Sequence, residues 1–160
     1  MSVHVEIQSA CSEPAPEEDD LRRWTCAALA ERTPGDSAEI CLRLVGEAEM
    51  TALNRDYRGK TGPTNVLSFP ADLPPELALP LLGDIVICAP IVAREAAEQD
   101  KPLAAHWAHM VVHGCLHLLG FDHIEDADAA TMETLETTIL AQLGFPCPYP
   151  DHAHEEQLTP

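Results

Sequence analysis

The chain is predicted to fold as one α+β domain with a single mixed four-stranded sheet and about five helices. Its 160 residues, 46% of them hydrophobic, are enough to bury one substantial core. Strand-like and helix-like segments follow one another in mixed order, which favours one sheet covered by helices. Residues 107–119 are apolar on nearly every side, so we expect one central, mostly buried helix.

Four short segments carry the alternating or continuous apolar pattern of β-strands. These predicted strands are residues 2–9, 38–45, 65–69 and 83–89. The second strand shows the pattern most clearly, because Ile40, Leu42 and Leu44 fall on one face. Three prolines within residues 71–82 predict an irregular, exposed loop there.

Five segments carry helical patterns. They are residues 18–32, 46–58, 90–98, a long helix from residue 102 that carries the histidines, and residues 126–143. The acidic residues 17–20 open the first of these helices, where they suit the helix dipole. We interpret that acidic run and the acids within residues 125–136 as solvated faces. Gly144 is expected to end the last helix.

The most specific pattern in the chain is the histidine run from residue 113 to residue 123. His113 and His117 are four residues apart, so both lie on one face of a helix and can bind the same ion. Gly120 can end that helix with a positive φ and turn the chain back, which lets His123 approach as a third ligand. Three histidines with an open fourth position are typical of a catalytic zinc rather than a structural one.

The same spacing occurs in the metzincin metalloproteases, with one change. The glutamate that acts as general base in those enzymes is Gly114 here. The ligand geometry is therefore kept while the peptidase base is missing. Imidazole also suits copper, iron and nickel, so zinc is the default rather than a necessity.

A cluster of cations forms a second candidate site. Arg55, Arg58 and Lys60 fall within six residues at the end of a predicted helix. They could simply complement the helix dipole, or they could grip a phosphate, which arginine recognises through two parallel hydrogen bonds. The net charge of −18 argues against a generic nucleic-acid binder, although a local basic groove can exist on an acidic protein.

Several features indicate a cytoplasmic protein without a membrane span. No apolar run approaches the roughly 20 residues that a membrane helix needs. The first residues alternate like a strand and lack the features of a signal peptide. The six cysteines are scattered without any C-x-x-C pair, so we expect reduced thiols, with Cys115 as a core residue.

Four motifs together resemble the bacterial YbeY family. They are the run His113–His123, the run Tyr57–Lys60, the strand Thr64–Pro70 and the segment Leu82–Ile85. The resemblance implies a single-domain, metal-dependent endoribonuclease of ribosomal RNA maturation and ribosome quality control. It also implies that His113, His117 and His123 bind one Zn²⁺ ion and that Arg58 is needed for activity.

The resulting expectation is a hydrolase domain over residues 1–144 followed by a flexible tail over residues 145–160. It would be a single-strand-specific endoribonuclease whose partners are ribosomal RNA or a ribosomal subunit, together with a protein that delivers the substrate; DNA is not expected. Either water or the 2′-hydroxyl would attack the phosphate, and Asp122 is the one candidate for moving a proton. Two alternatives stay open: a non-catalytic zinc-containing ribosome-assembly factor, and a metal-dependent hydrolase of another bond.

Overall fold

The computed structural model describes residues 2–30, 37–71, 80–121 and 126–148. Within them lie strands β1 (Ser2–Ser9), β2 (Ser37–Val45), β3 (Val66–Pro70) and β4 (Leu81–Cys88), and helices α1 (Glu18–Leu29), α2 (Glu47–Arg58), α3 (Ala89–Glu98), α4 (Leu103–Leu118) and α5 (Asp126–Gln142). The strands form one sheet in the order β1-β2-β4-β3. β1, β2 and β4 are parallel, whereas β3 pairs with β4 in the antiparallel sense.

The predicted fold class is confirmed, and each predicted element within the described residues exists. Several boundaries differ by up to three residues. α1 ends at Leu29 rather than at residue 32, and residue 89 belongs to α3 rather than to β4. Residues 81 and 82 belong to β4 rather than to the proline-containing loop, because β4 pairs with β2 back to Leu81. The remaining part of that loop, residues 72–79, lies outside the described residues, as do His123, Asp122 and the tail from residue 149 onward.

Residues 85–88 of β4 are buried on both faces of the sheet. Successive side chains of a strand point to opposite sides, and a hydrophobic cluster covers each side. Ile85 and Ile87 pack into the larger core, which also contains the apolar faces of α1, α4 and α5. Val86 and Cys88 point to the other face, where they meet α2 through Met50. The sheet therefore separates two hydrophobic clusters, and α4 lies in the larger one.

The close approach of α4 to the sheet depends on Gly114. A Cβ at this position would lie 2.8 Å from Cγ2 of Ile85, closer than real Cβ atoms come to other atoms, and 3.0 Å from Cδ1. The Ser68 hydroxyl on β3 donates to the carbonyl oxygen of Gly114 at 3.1 Å. The glycine that replaces the metalloprotease glutamate is therefore a packing residue, and it ties the histidine helix to the edge strand.

None of the helices in the described part of the chain is both long enough and apolar enough to cross a membrane. All six cysteines are free thiols. Cys115 is buried in the larger core, as expected, and burial raises the pKa of its thiol.

Candidate metal centre and substrate cleft

Four histidines project along α4, and three of them contact carboxylates on two other helices. His106 lies 2.9 Å from a carboxylate oxygen of Glu95 on α3. His109 lies 2.7 Å from Glu136 on α5, and His113 reaches the same carboxylate. His117, one turn further on, meets His113. The histidine face of α4 is thus fixed by two carboxylates up to the point where it opens toward solvent.

α4 ends as the sequence predicts. Gly120 has φ of 102°, which only glycine adopts without strain. Its N–H donates to the carbonyl oxygen of His117 at 3.0 Å, and the N–H of Phe121 donates to that of Leu116 at 3.0 Å. This pair of bonds is the Schellman motif, which turns the chain away from the helix axis. His123 follows this turn but lies outside the described residues.

The geometry of His113 and His117 fits one metal ion. Their Nε2 atoms lie 3.1 Å apart. Two imidazole nitrogens on a tetrahedral zinc, each bonded at about 2.0–2.1 Å, are separated by roughly 3.3 Å. Both side chains are half-buried, so an ion between them would be reachable from solvent.

Glu136 is the carboxylate behind His113. Its Oε2 accepts from Nδ1 of His113 at 3.2 Å and from Nε2 of His109 at 2.7 Å, and its side chain is 1% exposed. Burial opposes ionisation of this carboxyl, but the hydrogen bonds from His109 and His113 outweigh burial and lower its pKa to about 2. A carboxylate that accepts from Nδ1 leaves Nε2 of His113 as the nitrogen available to a metal.

A second grouping of ligand atoms exists deeper in the fold. One ligand atom from each of His109, His113 and Glu136 lies within 4.8 Å of the others, so this group could also hold a metal. His109 and Glu136 are buried, however, so an ion held there would be shielded from substrate. His109 and Glu136 are therefore better placed to orient His113 than to hold a catalytic ion.

A cleft of about 550 Å³ opens beside the two half-buried histidines. Its lining includes His113 and His117 from α4, Ser68 and Pro70 from β3, and Arg58 from the end of α2. Arg58 is the cationic side chain among the described residues that line the cleft. No carboxylate within the described part of the chain forms an ion pair with it. The structure thus brings two candidate motifs, far apart in sequence, into one cavity.

The other two cations of the Arg55–Lys60 cluster are placed differently from Arg58. Arg55 pairs with Asp56 at 3.1 Å, and neither Arg55 nor Lys60 lines the cleft. Gly59, with φ of 66°, ends α2 directly after Arg58. The turn of the chain therefore separates Arg58 from Lys60.

The sequence interpretation missed the role of Glu136. The acids within residues 125–136 were expected to form a solvated face, which is wrong for Glu136. A signal was present, because Met132, Glu136 and Ile139 recur at helical spacing and all three are buried. An acid in line with apolar residues indicates a buried carboxylate that needs partners.

Comparison with known proteins finds a matching family and similar sequences. The model of the family described as Endoribonuclease YbeY matches residues 6–144. A protein of Stutzerimonas stutzeri (strain A1501), named Endoribonuclease YbeY, is 57% identical over 154 residues, covering 96% of this chain and 95% of its own length. A relative of the same name from Pseudomonas putida is 57% identical over 150 residues, covering 93% of this chain and 94% of that protein.

The fold is shared with a solved structure. A solution structure of a Thermotoga maritima protein matches with a TM-score of 0.60 and 27% sequence identity, over 85% of this chain and 86% of that one. The family model spans both the end of α2 that carries Arg58 and the whole of α4. On these matches, the chain belongs to the endoribonuclease YbeY family.

Proposed function

We propose that this protein is a zinc-dependent, single-strand-specific endoribonuclease that acts in ribosomal RNA maturation and ribosome quality control. The observation that carries the proposal is the cleft in which Arg58 lies with His113 and His117. The names of the relatives, Endoribonuclease YbeY, support RNA as the substrate and hydrolysis as the reaction. Residues 1–144 would form the catalytic domain, and the tail would begin after it.

His113, His117 and His123 would hold one Zn²⁺ ion. The 3.1 Å separation of the Nε2 atoms of His113 and His117 supports the first two ligands. The turn at Gly120 supports the third, because it directs the chain out of the helix three residues before His123. When bound, the ion would supply Lewis-acid chemistry, which polarises a phosphoryl oxygen and activates water.

The residues of the chain would do three further things. Arg58 would bind the scissile phosphate and stabilise the negative charge that develops on it. Glu136 would hold His113 in the tautomer that presents Nε2 to the cleft. Ser68 would fix α4 against β3, so that the two sides of the cleft keep their spacing.

The partners would be ribosomal RNA or a ribosomal subunit, in the cytoplasm. The net charge of −18 implies weak intrinsic attraction to a polyanion. A protein partner that delivers the substrate would compensate for this weak attraction. The affinity for isolated RNA should therefore be low and should depend little on salt, because few phosphates are contacted.

One assay series tests the proposal. Purified protein is incubated with single-stranded RNA, double-stranded RNA and casein, each with and without a chelator, and the zinc content of the preparation is measured. The proposal predicts cleavage of single-stranded RNA alone, lost with the chelator and restored by Zn²⁺. Cleavage of casein instead would indicate a hydrolase of another bond. Unfolding on chelation without any RNA cleavage would indicate a structural zinc in an assembly factor.

A further inference from the structure

An exposed aromatic residue stands beside the catalytic cleft. Tyr57, the neighbour of Arg58 at the end of α2, is 68% exposed. Its ring contacts Phe69 of β3 edge to face, with centroids 5.0 Å apart and an interplanar angle of 70°. This contact fixes the position of Tyr57 while most of its ring remains in solvent, which is the state of an aromatic residue available for stacking.

Tyr57 borders a second groove, of about 480 Å³. Tyr57, Phe69, Pro70 and Asp84 line it, and Pro70 also lines the cleft that contains Arg58 and the histidines. The side chains of β3 alternate between the two faces of the sheet. The groove and the cleft therefore lie on opposite faces of the edge strand and meet where that strand ends, at Pro70.

The charges of the groove suit a nucleobase better than a phosphate. Its cation, Arg43, is engaged by Glu49 through two hydrogen bonds of 2.6 and 3.1 Å. Asp84 is exposed and would repel a phosphate, but its carboxylate can accept from the amino groups of a base. The aromatic surface and the acceptor together match the face and the edge of an unpaired base.

We propose that Tyr57 is the stacking platform for a nucleobase next to the scissile phosphate, and that the Tyr57 groove is a base-binding subsite. This inference rests on the proposed endoribonuclease function. Among the described residues that line the cleft, Arg58 is the cation, so contacts with phosphate would supply limited affinity for RNA. Stacking of a base on Tyr57 would add to that affinity. The strand must bend around the end of β3 to reach both cavities, which an unpaired strand can do and a duplex cannot. The subsite thus accounts for single-strand specificity.

The test measures binding of a fluorescently labelled single-stranded RNA oligomer by anisotropy, with protein in excess at low temperature and the integrity of the oligomer checked on a gel. The zinc-loaded wild type is compared with Tyr57→Ala, Tyr57→Phe and Leu103→Ala. Leu103 is also an exposed apolar residue, but it begins α4, about 21 Å along the helix from His117. A matched oligomer without bases separates stacking from backbone contacts.

Tyr57→Ala should bind the intact oligomer roughly 5- to 100-fold more weakly. It should bind the oligomer without bases as the wild type does. Tyr57→Phe should stay within about twofold of the wild type, because its ring still stacks, and Leu103→Ala should be unchanged. The zinc content should be equal in all four proteins.

Wild-type binding by Tyr57→Ala, or an equal loss on both oligomers, would overturn the inference. If Tyr57→Phe loses as much affinity for the intact oligomer as Tyr57→Ala does, the effect belongs to the hydroxyl group rather than to the ring. That result would also overturn the inference. Because binding is read without cleavage, the two proposals fail separately. If Tyr57→Ala binds like the wild type and the wild type cleaves this RNA in the separate cleavage assay, the subsite alone is rejected. If the wild type binds this RNA but does not cleave it in that assay, the proposed function is rejected.

Discussion

Nδ1 of His113 lies 3.2 Å from Oε2 of Glu136, and the same oxygen lies 2.7 Å from Nε2 of His109. The carboxylate therefore decides which nitrogen of His113 faces the cleft, since the proton on Nδ1 is kept in this hydrogen bond. The metal-binding ability of α4 thus depends on a residue of α5.

Glu136→Gln should lower the affinity for zinc by about 10- to 100-fold, because a neutral amide no longer fixes the tautomer or the charge of His113. The measurement is competition with a chromogenic chelator, which does not depend on activity. Glu133→Gln is the matched control, three residues earlier on α5 and half-exposed. If the two variants bind zinc equally well, Glu136 has no part in the metal site.

Gly114→Ala should destabilise the protein by about 1–3 kcal/mol, because its Cβ would overlap Ile85 in a packed core. The free energy of unfolding is measured by urea denaturation of the metal-free protein. The same substitution in an Ile85→Ala background should cost less, because the overlapping methyl groups are gone. Equal costs in both backgrounds would show that the contact between α4 and β4 does not require glycine.

Arg58→Ala should reduce RNA cleavage by about 10²- to 10³-fold while zinc binding stays normal, as expected for a group that stabilises charge on the phosphate. Arg58→Lys should recover part of the activity, because lysine keeps the charge but not the bidentate geometry. Arg55→Ala should stay within about twofold of the wild type, since Arg55 pairs with Asp56 outside the cleft. Loss of zinc from Arg58→Ala would instead make Arg58 a structural residue of the site.

Gly120→Ala should destabilise the protein by about 1 kcal/mol, because alanine resists the positive φ at the end of α4. Gly144→Ala is the matched control: Gly144 follows α5 with φ of 91°, and a Cβ at either glycine would have no atom of the described residues within 4 Å. Both variants should melt at a lower temperature. Gly120→Ala alone should also bind zinc more weakly, because His123 follows its turn. Equal zinc affinity in the two variants would argue against His123 as a ligand.

Local patterns in the sequence were sufficient to predict the elements of the fold. The sequence of each element indicates how that element is buried: β2 alternates, β4 is continuously apolar, and α4 is apolar on nearly every side. One sheet packed against a buried helix could therefore be inferred. The end of α4 was predictable for the same reason, because a glycine with positive φ ends a helix through hydrogen bonds to neighbouring residues in the sequence.

Relationships between distant residues could not be predicted in this way. Glu136 is separated from His113 by 23 residues, and its burial depends on how α5 crosses α4. The packing of Gly114 against Ile85 depends on the distance between α4 and the sheet. Periodicity shows which face of an element is apolar, but it does not identify the partner of a buried polar group on that face.

The central claim is that His113 and His117 hold the metal on which RNA cleavage depends. Its most direct test is zinc content and cleavage of single-stranded RNA measured on the same preparations of wild type, His113→Ala and His117→Ala. We predict about one zinc per wild-type chain, and loss of both zinc and cleavage in each variant, with helical content by circular dichroism retained. Stoichiometric zinc or undiminished cleavage in either folded variant would contradict the account.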